Sequence, residues 1–92
     1  RKIAALADTY YVPVAPHNPG SMICTAAAMH LAAAVQNFYV LEQMEPQRAM
    51  RDRASTVPIR FENGAFLLPE GPGLGVEPNL EALPEAPQLL VF

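Results

Sequence analysis

Apolar residues in the first ten positions fall at Ile3, Leu6, Ala7 and Tyr10, the spacing of one face of an amphipathic helix, and predict a helix over residues 2–10. Pro13 biases the residue before it away from helical angles, so that helix ends near Tyr11. The next run, VPVAP at 12–16, combines β-branched valines with prolines of the kind tolerated at a strand start. It predicts a short buried strand with His17 at its carboxyl end. Asn18, Pro19 and Gly20 predict a turn, and Ser21 an amino-terminal cap for the helix MICTAAAMHLAAAV. Ile23, Ala27, Leu31 and Ala34 recur there at the helical period, and the many alanines permit close approach to a sheet.

Phe38, Tyr39, Val40 and Leu41 form an unbroken apolar run between Asn37 and Glu42, as in a parallel strand buried on both faces. The order helix, strand, helix, strand contains a βαβ unit whose crossover is long enough for parallel pairing. EPQRAMRDRAST, residues 45–56, has no apolar face and predicts a loop or short surface helix. In VPIRFENGAFLLPE two apolar runs flank Asn63-Gly64, a pair favoured where a tight hairpin needs positive φ. From residue 69 the density of proline and glycine predicts an extended tail laid along another surface, with LLVF at its end apolar enough to enter a groove. The chain thus divides into a helix-strand-helix-strand block at 1–44, a connection at 45–56, and a hairpin with tail at 57–92.

Ninety-two residues suffice for one small domain with a thin core. Six basic against nine acidic side chains give a net charge of −3 and no basic cluster, which argues against nucleic acid as a partner. No uninterrupted apolar run of about 18 residues predicts a membrane span, and the amino end carries no secretory pattern, so a soluble cytoplasmic protein is expected. The single cysteine, Cys24, cannot close a disulfide within the chain and is expected to be a buried, inert thiol in the alanine run. The chain opens inside a helical pattern without an initiator methionine, as a segment cut from something longer would.

Both predicted strands end in a titratable residue, His17 after the first and Glu42 after the second. In parallel α/β architectures the carboxyl ends of strands share one rim, where active sites are built. An imidazole there can remove or return a proton, and a carboxyl group can hydrogen-bond a developing oxyanion. A lone strand-end histidine is more often a hydrogen-bonded structural residue, and a strand-end glutamate is usually solvated, so neither residue specifies a site by itself. Asn18, beside the histidine, is a candidate substrate contact. His30, inside the alanine helix, is expected to be satisfied or partly exposed, without a catalytic role. Glu45, Asp52, Glu62 and Glu70 have no partners at metal-ligand spacing, and glycines 71, 73 and 75 lack the strand and helix that frame a phosphate loop.

KIAALADTYYVPVAPHNPGS, then the alanine helix, then NFYVLEQ, and later ENGAFLLPEGPGLGVEPN resemble, in that order, the carboxyl-terminal portion of mandelate racemase/muconate lactonizing enzyme-type members of the enolase superfamily. The resemblance covers residues 2 to about 80. It implies an α/β fold in which this chain is the last part of a (β/α)7β TIM-like barrel, with VPVAPH as the seventh strand and NFYVLE as the eighth. The hairpin and tail would then pack on the capping domain of a full-length enzyme. The resemblance also implies that His17 is the general base or acid and that Glu42 hydrogen-bonds the enolate. The reaction begins with removal of a proton α to a carboxylate held on Mg2+.

The 25-residue step from His17 to Glu42 and the Glu42-Gln43 pair look most like acid-sugar dehydratases of the galactonate dehydratase kind, lyases that lose the β-hydroxyl. One departure is Met22, where similar sequences are expected to carry proline. The family's metal ligands, lysine motif and aspartate partner of the histidine come from strands absent from these residues. The chain alone is therefore expected to bind no metal, to be inactive, and to form homo-oligomers through open strand edges. A racemase or epimerase of the same family, or a non-catalytic self-associating module, are the alternatives.

Overall fold

The computed structural model describes residues 1–82. Its first helix, α1, spans Lys2–Thr9. It closes with Tyr11 N–H on the Asp8 carbonyl at 2.9 Å and Val12 N–H on the Ala7 carbonyl at 3.0 Å. This pair of hydrogen bonds requires a left-handed residue, usually glycine, and Tyr11 takes that conformation with φ +56°. A side chain in that region costs about 1–2 kcal/mol.

Residues 12–17 and 37–42 run side by side in parallel. Val14 N–H donates to the Asn37 carbonyl at 2.8 Å, and Tyr39 N–H donates to the Val14 carbonyl at 2.9 Å. The next rung requires an N–H from residue 16, which is proline and has none. The strands expected over 12–16 and 38–41 are accordingly reduced to one parallel bridge, Val14 with Phe38. Beyond it, Glu42 N–H reaches the Pro16 carbonyl at 3.4 Å. Asn37 reinforces the junction, since its Nδ2 donates to the carbonyls of Ala4 and Val12, both at 3.0 Å.

The second helix, α2, spans Met22–Ala33 with Ser21 at its N-cap, although the serine hydroxyl makes no capping bond. Its buried residues are Met22, Thr25, Ala26 and Met29. This corrects the expected face, because Ile23 is 46% exposed and Ala27 is also exposed. It corrects Cys24 as well, whose thiol is exposed. The physical reason is that α2 is apolar around its whole circumference, so periodicity cannot choose a face. The choice is made by Ile59, which completes the core cluster with Met22, Ala26 and Met29, and by Leu41, Phe66, Leu74 and Val76 packed against it.

A 3-10 turn, Glu45–Gln47, leads into α3, Arg48–Arg53. The hairpin follows as β1, Phe61–Glu62, and β2, Ala65–Phe66, antiparallel with Phe61 opposite Phe66. Asn63 and Gly64 turn it with φ +52° and +81°, as the Asn-Gly pair predicts. The two phenylalanine rings meet edge to face at 5.0 Å, and the Arg48 guanidinium lies 5.6 Å from the Phe61 ring centre.

The tail then turns back on this chain. Gly75, at φ +70°, is buried so tightly that a Cβ would stand 2.4 Å from Cβ of Pro69. Leu74 and Val76 thereby reach the core, and residues 77–79 run beside residues 53–56 at and just beyond the end of α3. The Glu77 carbonyl accepts from Thr56 N–H at 2.9 Å and from Ser55 Oγ at 3.0 Å, while Asn79 N–H donates to the Ala54 carbonyl at 2.9 Å. A second 3-10 turn covers Leu80–Ala82. The LLVF segment, 89–92, lies outside the described residues.

Candidate active site

His17 and Glu42 follow two parallel segments joined at Val14 and Phe38, and so leave the fold at the same end. The imidazole Nδ1 hydrogen-bonds the carboxyl Oε2 across 25 residues of chain. Both groups face outward, with 73% of the His17 side chain and 46% of the Glu42 side chain exposed. With Nδ1 engaged, Nε2 is the ring nitrogen left for an incoming group. An exposed pair of this kind contributes little to folding, so its alignment depends on the main chain beneath it.

That main chain is held from behind. Asn18 is fully buried, and its Nδ2 donates to the Glu42 carbonyl at 3.1 Å. Its Oδ1 accepts from Thr25 Oγ1 at 3.2 Å. Asn18, read from the sequence as a candidate substrate contact, therefore turns its amide inward onto protein groups. Next to Thr25 sits Arg51, only 4% exposed, with Nη1 3.5 Å from Thr25 Oγ1 and Nη2 donating to the Met44 carbonyl at 3.1 Å. No local pattern in the polar run 45–56 marks Arg51 for burial. Thr25 had a faint signal as the one hydroxyl inside the alanine helix.

The remaining candidates lie elsewhere. His30 Nε2 bonds the Leu74 carbonyl at 3.2 Å, a structural tie between α2 and the tail. Arg60 pairs with Glu62 at 2.6 Å and Arg48 with Glu45 at 3.3 Å, both on the surface. Among the described residues no three His, Cys, Asp or Glu side chains gather where they could hold a metal ion. None of the described helices is long and apolar enough to cross a membrane.

The model of the family described as enolase C-terminal domain-like matches residues 1–83. The chain belongs to that family. Among curated relatives of this enolase-type segment, D-xylonate dehydratase of Haloferax volcanii is 42% identical over 83 residues, covering 90% of this chain and 20% of that protein. The D-galactonate dehydratase family member RspA of Halomonas elongata is 39% identical over 79 residues, covering 84% of this chain and 19% of that protein. A mandelate racemase/muconate lactonizing enzyme-like protein from Rubrobacter xylanophilus superposes with a TM-score of 0.77 at 40% identity, over 88% of this chain and 21% of that one. The chain thus spans about a fifth of the length of the curated relatives it matches. Its fold is the matching portion of the enolase-type carboxyl-terminal barrel, α/β in class.

Proposed function

We propose that this chain supplies the His-Glu rim of an acid-sugar dehydratase and works only as part of a complete barrel. The observation that carries the reading is the contact of His17 Nδ1 with Glu42 Oε2 at the shared end of two parallel segments. The dehydratase relatives support the substrate class. In this reading His17 Nε2 takes the proton α to the substrate carboxylate, and the C–H electron pair becomes the enediolate double bond. Glu42 accepts from Nδ1–H with one oxygen and, when protonated, donates from the other to the developing oxyanion. The imidazolium then returns its proton to the departing β-hydroxyl, which leaves as water and gives the enol of a 2-keto acid.

Magnesium fits the superfamily chemistry, but the described residues contain no ligand cluster for it. The 92 residues by themselves are expected to be inactive. Ile3 and Tyr39, 82% and 75% exposed, are apolar surfaces that neighbouring barrel elements would cover; in the isolated chain they favour homo-oligomers. A racemase or epimerase would use the same proton abstraction without loss of a hydroxyl.

The test is a chimera in which residues 1–83 replace the matching fifth of the Haloferax volcanii D-xylonate dehydratase. Dehydration of D-xylonate by the chimera, abolished by His17→Asn, supports the proposal. A soluble chimera whose activity is indifferent to His17→Asn and Glu42→Gln ends it.

A further inference from the structure

The described residues place three buried polar side chains in a line behind the rim, and the chemistry of its two ends sets its direction. Arg51 is always a donor and cannot accept, while the Glu42 carbonyl can only accept. Between them, Thr25 Oγ1 takes the Arg51 N–H and passes its own proton toward Asn18 Oδ1, which leaves Asn18 Nδ2 to donate to the Glu42 carbonyl. Only one orientation of the asparagine amide satisfies both neighbours. The Thr25 hydroxyl also lies 3.2 Å from the Ser21 carbonyl, its alternative acceptor one turn back.

Arg51 is an unusual occupant for this place. Buried arginines are normally paired with carboxylates, yet among the described residues Arg51 has no acidic partner, and its contacts are the Met44 carbonyl and Thr25. Its Nε has no partner, and neither does the buried Oε1 of Gln43, the residue after Glu42. Both residues line one small, partly open pocket of about 10 Å3, with Met22, Thr25 and Asp52 also on its wall. A cavity of this size accommodates about one water. A water there would accept from Arg51 Nε–H and donate to Gln43 Oε1.

We propose that Arg51, Thr25 and Asn18 form a positioning relay that fixes the main chain of residues 42–44, and with it the direction in which the Glu42 carboxyl meets His17. The guanidinium grips the segment at Met44 directly and at Glu42 through Thr25 and Asn18. Aligned donors polarise one another in a low dielectric, so the permanent charge strengthens the bond at the far carbonyl. None of the three touches the reacting atoms; all act through Glu42. The relay rests on the His17-Glu42 reading above, and its test separates the two.

The readout is the ring tautomer of His17 by nitrogen NMR in the 92-residue chain, at a pH where the imidazole is neutral. Pairing with Glu42 favours the Nδ1–H form, and Glu42→Ala should return it to the mixture of free histidine. Thr25→Val keeps the side-chain shape without the hydroxyl, and should shift His17 in the same direction. Thr25→Ser keeps the hydroxyl and loses a methyl, and should preserve the native tautomer. Mere packing predicts the opposite order, with valine silent and serine disruptive, and that result overturns the relay. If Glu42→Ala leaves the tautomer unchanged, the His17-Glu42 reading fails and the relay with it. Should Thr25→Val fail to fold, exchange of the Asn18 side-chain amide in the native chain decides. Protection of at least about tenfold over the exposed Asn63 amide supports the relay, and equal rates overturn it.

Discussion

His17 and Glu42 meet through Nδ1 and Oε2 across a helical crossover, while the Glu42 carbonyl behind them accepts from fully buried Asn18 at 3.1 Å. In the proposed reading the exposed half of this arrangement carries the chemistry and the buried half the geometry. The two should respond differently to substitution.

Removing the exposed partner should barely affect folding. His17→Ala is expected to change the unfolding free energy of the chain by no more than about 0.5 kcal/mol, as for other solvent-exposed pairs. Urea unfolding followed by circular dichroism checks this, and a loss several times larger would mean that the pair holds the fold.

The two faces of α2 should separate cleanly. Met29→Ala, at a position 5% exposed in the core cluster, is expected to cost about 2–5 kcal/mol. Ile23→Ala on the outward face should stay within about 0.5 kcal/mol. Equal costs at the two sites would contradict the observed packing.

Two glycines in the tail turn make a matched comparison. Gly73 has φ +63° and open space around its Cβ direction, so Gly73→Ala should cost only about 1–2 kcal/mol of backbone strain. Gly75→Ala adds a collision with Pro69 and should cost about 1–3 kcal/mol more, freeing Leu74 and Val76 from the core. Thermal unfolding of both variants reads the difference.

Cys24 is exposed and should react with a thiol reagent in the folded chain at a rate within about tenfold of that in denaturant. Strong protection in the native state would restore the buried-thiol expectation.

What could be read from the residues alone follows from the range of the interactions involved. Asn63-Gly64 is a local signal, because positive φ at both turn positions is a property of those two residues, and the hairpin forms there. The existence of α2 is similarly local, but its buried face is not. A helix apolar on every side takes its orientation from Ile59 and Phe66, 26 and 33 residues beyond its last residue, Ala33. The parallel approach of residues 12–17 and 37–42 is legible from order and crossover length, whereas the loss of the next hydrogen bond follows from the missing N–H of Pro16. His17 and Glu42 stand out because each closes an apolar run. Arg51 does not, since its burial is created by Thr25 and Met44 folding over it, and a charged residue in a polar stretch looks solvated.

In the proposed reaction His17 breaks the bond between carbon and hydrogen next to a carboxylate. This step is tested most directly by following release of deuterium from an acid sugar labelled at that carbon, in the chimera that restores a complete barrel. His17→Asn should slow release by at least about 100-fold while helical content is retained. Undiminished release from the asparagine variant would rule out His17 as the base.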